Sequence, residues 1–148
     1  MAGVRFKAAT SLVATGTSLK TIAQLVAASN HGIKLDEIEV SFAGTSNTAT
    51  PIKVEVLRQT TAGTMSSLTP VKDPDDSDET LQVTAQHTAT AEPTASDILI
   101  VVNVHPQTGW SWQAPFGREI KIGGGDRVGV RVTAAADVNC AVRFCGEE

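Results

Sequence analysis

Residues 118 to 133 read Arg118-Glu119-Ile120-Lys121-Ile122-Gly123-Gly124-Gly125-Asp126-Arg127-Val128-Gly129-Val130-Arg131-Val132-Thr133. Ile120 and Ile122 alternate with Glu119 and Lys121. Beyond the glycines, Val128, Val130 and Val132 alternate with Arg127, Gly129 and Arg131. A period of two puts one face of each segment in a core and the other toward water, which is strand grammar. Glycines supply the positive φ angles of a tight reversal, so the stretch predicts a single β-hairpin.

The same grammar extends in both directions. Strand candidates are Val4 to Thr10, Leu19 to Ala27, Ile33 to Phe42, Ile52 to Val56, Leu81 to Ala85, Ile98 to Val104 and Val138 to Phe144. Leu19, Ile22, Leu25 and Val26 also fit two turns of helix, but Thr21 and the Asn30-His31-Gly32 turn fit a strand at least as well. The apolar phase of Ile33 to Phe42 slips between Leu35 and Ile38, as a β-bulge makes it do. Ile98 to Val104 is apolar on both faces, the pattern of a central strand or of an interface strand. Thr60 to Glu79 and Pro106 to Gly117 read as long connections, and connections of that length usually bind something. The prediction is one all-β domain over residues 1–148, an antiparallel sandwich of eight or nine strands with jelly-roll or Greek-key connections. Residues 1–17 are an expected extended arm and 60–79 an acidic loop.

Composition narrows the function classes. The 148 residues suit one core that buries roughly 70% of the unfolded surface. No apolar run is long enough for a membrane-spanning helix, so no membrane partner is expected. Net charge is −4, which argues against direct nucleic-acid binding. Much of that charge sits in Asp73, Asp75, Asp76, Asp78, Glu79, Glu147 and Glu148, leaving 9 acids against 12 bases elsewhere. The N-terminus as given has no secretory apolar segment, and Ala2 is not the glycine that myristoylation needs. Cys140 and Cys145 lie five apart in one predicted strand, so their thiols leave opposite faces and neither pair nor share a metal.

Chemistry-bearing constellations are sparse. Asp73 to Glu79 offers hard oxygen ligands of the kind Ca²⁺ prefers, yet lacks the glycine and terminal glutamate of an EF-hand loop, so a solvated charge run is the plainer reading. His31, His87 and His105 stand in three unrelated contexts, with no nucleophile elbow or paired metal motif, and no enzyme, cofactor or metal is expected. Trp110 and Trp112 point the same way in an extended segment. They fit a plug for one end of the sandwich, an interface anchor, or a stacking pair for a sugar ring.

The runs Leu19 to Ala27, Val54 to Thr64, Thr84 to Thr94, and His105 through Glu119 resemble those of small head proteins encoded by tailed bacteriophages. These are capsid decoration or cement proteins on a jelly-roll-like sandwich. The resemblance implies a homotrimer made in the bacterial host cytoplasm, seated on the outer surface of the virion over the major capsid protein, with no catalytic residue. Arg5, Phe6 and Lys7 are then capsid-contact candidates by strand addition, unless they form a plain first strand. Leu99 and Val101 are subunit-interface candidates, and Trp110, Trp112 and Phe116 are binding candidates in their loop. The alternative is a carbohydrate-binding module or tail-fibre tip domain stacking a sugar on Trp110 and Trp112.

Overall fold

The structure is a computed structural model that describes residues 3–45, 50–73 and 78–148. Its thirteen strands are β1 (Arg5–Ala9), β2 (Val13–Ala14), β3 (Lys20–Val26), β4 (Ile33–Phe42), β5 (Ile52–Gln59), β6 (Thr64–Leu68), β7 (Val71–Lys72), β8 (Thr84–Ala91), β9 (Ala95–Val104), β10 (Gly109–Gln113), β11 (Ile120–Ile122), β12 (Arg127–Thr133) and β13 (Asn139–Glu147). No helix occurs among the described residues. One sheet runs β10-β4-β13-β1-β7, with β11 also on β4 and β2 on β13; the other runs β6-β8-β3-β12-β5-β9.

The pairing is nested. β1 pairs β13, β3 pairs β12, β4 pairs β10 and β11, and β5 pairs β9, all antiparallel. Strands that pair from the chain ends toward the middle are what a long hairpin makes when it rolls into two facing sheets. This is the jelly roll. The strand count exceeds eight or nine because one position of the roll is split between β10 and β11, because β2 and β7 are short additions, and because β6 and β8 continue β5 and β9 beyond a bend. Inward side chains from both sheets form one core: Ile22, Leu25, Val54, Val56, Val128 and Val130 face Phe6, Leu35, Ile38, Val40, Val142 and Phe144.

Residues 118–133 are strands as expected, but they are not a hairpin. Ile120 to Ile122 pairs with Leu35 to Ile33 in the seven-stranded sheet, while Arg127 to Thr133 lies between β3 and β5 in the other. Alternation specifies which face of a strand is buried and is silent about its lateral neighbour. The glycine turn is therefore a corner between sheets. Gly125 has φ +82°, Asp126 N donates to Gly123 O at 3.0 Å, and Gly125 N reaches Ala28 O at 3.0 Å, docking the corner on the end of β3.

Other expectations divide. β3 is a strand, and β4 carries its bulge at Asp36, where the β13 register skips from Glu37 to Leu35. The two long connections are not plain loops, because Thr60 to Glu79 contains β6 and β7, and Pro106 to Gly117 contains β10. The N-terminal segment is built into the seven-stranded sheet as β1 and β2. β9 is not central either. It is the terminal strand of its sheet.

The β5–β9 ribbon then turns over the outside of its own sheet. Past β5 and before β9, residues 60–63 and 92–94 cross together, joined by Thr60 N to Thr94 O at 2.9 Å and Thr94 N to Thr61 Oγ1 at 2.8 Å. The ribbon resumes as β6 and β8 on the far side of β3. Beneath the crossing, Gln24 Nε2 donates to Gln59 Oε1 at 2.7 Å, and Gln59 Nε2 to Thr21 Oγ1 at 3.0 Å. Thr21 Oγ1 in turn donates to the Glu92 carboxylate at 2.6 Å. Buried amides need such partners, and the crossing supplies Thr61 O to Gln24 Nε2 at 3.3 Å and the Glu92 carboxylate to Thr21. Gly129 leaves the space for Gln59, since a Cβ there would land on its amide.

Candidate functional site

The two edges of the six-stranded sheet set up its exposed chemistry. β9 is ten residues long, Ala95-Ser96-Asp97-Ile98-Leu99-Ile100-Val101-Val102-Asn103-Val104, with Asp97 as its sole charge. Long apolar edge strands are normally blunted by Lys, Pro, bulges that twist them away, or covering loops. β9 has no Lys or Pro, its register shifts are confined to the end before Ile100, and no strand lies on its outer side among the described residues.

Its register explains which side chains face out. Val56 pairs with Ile100 and Leu57 with Ile98, so Leu99 is skipped and the phase slips by one. Leu99, Ile100 and Val102 consequently pack against the core, while Ile98 is 50% and Val101 51% exposed. Of the interface candidates from sequence, Val101 is on the surface and Leu99 is turned inward. Ile98 takes its place. Plain alternation could not reveal the exchange, because nothing in the residue pattern marks the slip.

A second exposed group stands on the adjoining sheet edge. Between β10 and β11, Arg118 N donates to Pro115 O at 2.8 Å and Gly117 has φ +79°, a β-turn with glycine in the left-handed position. Gly117 N also donates to Glu119 Oε1 at 3.1 Å. Hydrogen bonds from Glu119's own backbone and from Gly117 hold that carboxyl below its ordinary range. The turn carries Phe116 fully into solvent, 103% exposed. Its flank is shared with β9: residues 105–108 join β9 to β10, and Arg58 Nη2 of β5 donates to Lys121 O of β11 at 3.1 Å.

The tryptophans sit elsewhere. Trp110 and Trp112 belong to β10, opposite the buried Val40 and Ile38, and both are half-buried against the core. They cover an edge of the sandwich, each with part of its ring in the core contact. A shallow hollow of about 250 Å³ beside them is lined by Glu39, Val40, Ser41, Gly109, Trp110 and Ser111.

The outer face of the seven-stranded sheet is charged and internally paired. Arg143 Nη2 meets both Glu37 and Glu39, Arg5 meets Asp36 at 3.4 Å, and Lys7 Nζ meets Asp73 at 2.7 Å. Arg5, Phe6 and Lys7 are thus a first strand between β13 and β7, with Phe6 in the core and the two cations outward. Both lateral sides of Phe6 and Lys7 are occupied by this chain, which leaves no room for strand addition there.

The remaining candidates stay apart. Cys140 lies in the core, where burial pushes its thiol up to about 12, a level at which it is inert. Cys145 is also free and buried, on the opposite side of β13 beneath Arg143, and burial raises its thiol too. His31 follows β3, His87 is in β8 and His105 follows β9. Among the described residues no group of three or more His, Cys, Asp and Glu could hold a metal ion. Of the acidic loop, Asp75 and Asp76 lie outside the described residues. Comparison with protein-family models, curated proteins and solved structures returns no match.

Proposed function

We propose that this chain is a structural virion protein, a decoration protein that associates with itself as a trimer and seats on the outer surface of a tailed-phage head. The observation that carries this reading is β9, a ten-residue apolar edge strand with no strand on its outer side among the described residues, and with Ile98 and Val101 half exposed. Such an edge is an association site by its physics. The jelly roll supports the reading as well, being an architecture that viral capsid domains use. The charged outer face of the seven-stranded sheet supplies the second requirement, a polar surface for the major capsid protein. Three modest contacts from one rigid trimer add through effective concentration, so each subunit binds weakly and the assembly holds.

The sugar-binding reading rests on Trp110 and Trp112, and their half-buried rings give it no support. The test is cosedimentation of the purified protein with heads of the phage that carries its gene. Saturable binding at a fixed ratio to the major capsid protein is expected. A monomer that stays in the supernatant overturns the proposal.

A further inference from the structure

We infer that Phe116 of one subunit seats on the Ile98 and Val101 patch of a second copy of this chain, with Arg118 of the first facing Asp97 of the second. The inference rests on the self-association proposed above and specifies the contact through which it occurs.

Four observations converge on it. Phe116 is fully exposed, and an aromatic ring carries a large apolar area that a partner can bury. Two hydrogen bonds, Arg118 N to Pro115 O and Gly117 N to Glu119 Oε1, hold the turn that presents it, so little order remains to be lost on binding. Ile98 and Val101 form the exposed apolar surface of β9, each about half exposed. The charges are complementary: Arg118 follows the knob, Asp97 precedes the patch, both are exposed, and neither has an ion-pair partner within the subunit among the described residues.

Knob and patch cannot satisfy each other within one subunit, because both remain exposed in it. They lie on adjoining sheet edges of one flank, so a head-to-tail contact between them turns the next subunit about an axis beside that flank. Unlike patches on opposite sides of a molecule run into a filament. Two copies that exchange knob and patch reciprocally make a two-fold dimer, whereas a contact passed from each copy to the next and closed after three makes the cyclic trimer proposed above. A β9-to-β9 contact would instead give a two-fold dimer and leave Phe116 bare.

Sedimentation velocity on the full chain tests this directly. Wild type should sediment at three times the 15.4 kDa chain mass. Phe116→Ser should raise the dissociation concentration at least tenfold, and so should Asp97→Arg or Arg118→Asp alone. The double variant Asp97→Arg with Arg118→Asp should recover most of the loss, which no unfolding effect could mimic. The side chains of all three residues are on the surface, and unchanged circular dichroism serves as the control. A wild-type trimer indifferent to these variants overturns the contact and leaves self-association standing; a wild-type dimer overturns ring closure; a wild-type monomer overturns both readings.

Discussion

The two ends of the folded ribbon form the two edges of one sheet, and they are built in opposite ways. At the far end, β6 is five residues long, mostly Thr and Ser on its exposed positions, and its register with β8 is interrupted. At the near end, β9 is twice as long, regular over Ile100 to Val104, and apolar. Short, polar and irregular is how a chain prevents edge pairing. The β6 edge is guarded in all three ways, whereas β9 carries only its register shifts near Ile98, and the proposed self-association uses that edge.

The largest effect is expected from breaking the β9 end from beneath. Glu55 lies opposite Val101 on one side and Arg131 on the other, its side chain 2% exposed, with Arg131 Nε and Lys53 Nζ each at 2.9 Å. Arg131→Met leaves Glu55 buried with Lys53 alone and should cost about 3 kcal/mol in urea unfolding. Acid probes the same group. Burial pushes the Glu55 carboxyl up, but hydrogen bonds from Arg131 and Lys53 outweigh burial and hold it below its ordinary 4.5. A depressed carboxyl contributes fully above the unfolded value and loses that contribution as pH falls through the folded one. Stability should therefore decline below about pH 4.5 in wild type, and less steeply in a Glu55→Gln variant.

The bend between the two ends comes next. Gly63 has φ +62°, and a Cβ there would meet Ala91 O and the Pro93 ring. Gly63→Ala should cost about 2 kcal/mol, read as a lowered urea midpoint, because strain and a backbone clash coincide. The smallest effect belongs to the guarded edge. Ser66→Lys or Ser67→Lys on β6 should leave stability within about 0.5 kcal/mol and leave the sedimentation coefficient unchanged. A shift in sedimentation would mean that the guarded edge also makes contacts.

What could be read without coordinates follows from what periodicity encodes. Val128, Val130 and Val132 identify a strand and its inward face because burial acts residue by residue. The lateral neighbour of that strand depends on chain crossings that no local pattern records, and so the Gly123 to Asp126 corner resembled a hairpin turn. The β4 bulge was legible because its apolar residues change phase within one strand. The β9 slip was not, because Ile98 through Val102 are all apolar and any phase fits them. Phe116 was legible as a candidate by its residue type, whereas the exposure of Ile98 beside Val101 needed the register of β9 on β5.

The central claim is that the bare end of the ribbon holds subunits together, and lysines on it test that most directly. Sedimentation velocity of an Ile98→Lys, Val101→Lys variant beside wild type should show a trimer replaced by a monomer, with association weakened about 100-fold by loss of two apolar contacts. A variant that remains trimeric, or a wild type that is monomeric at the same concentration, would contradict it.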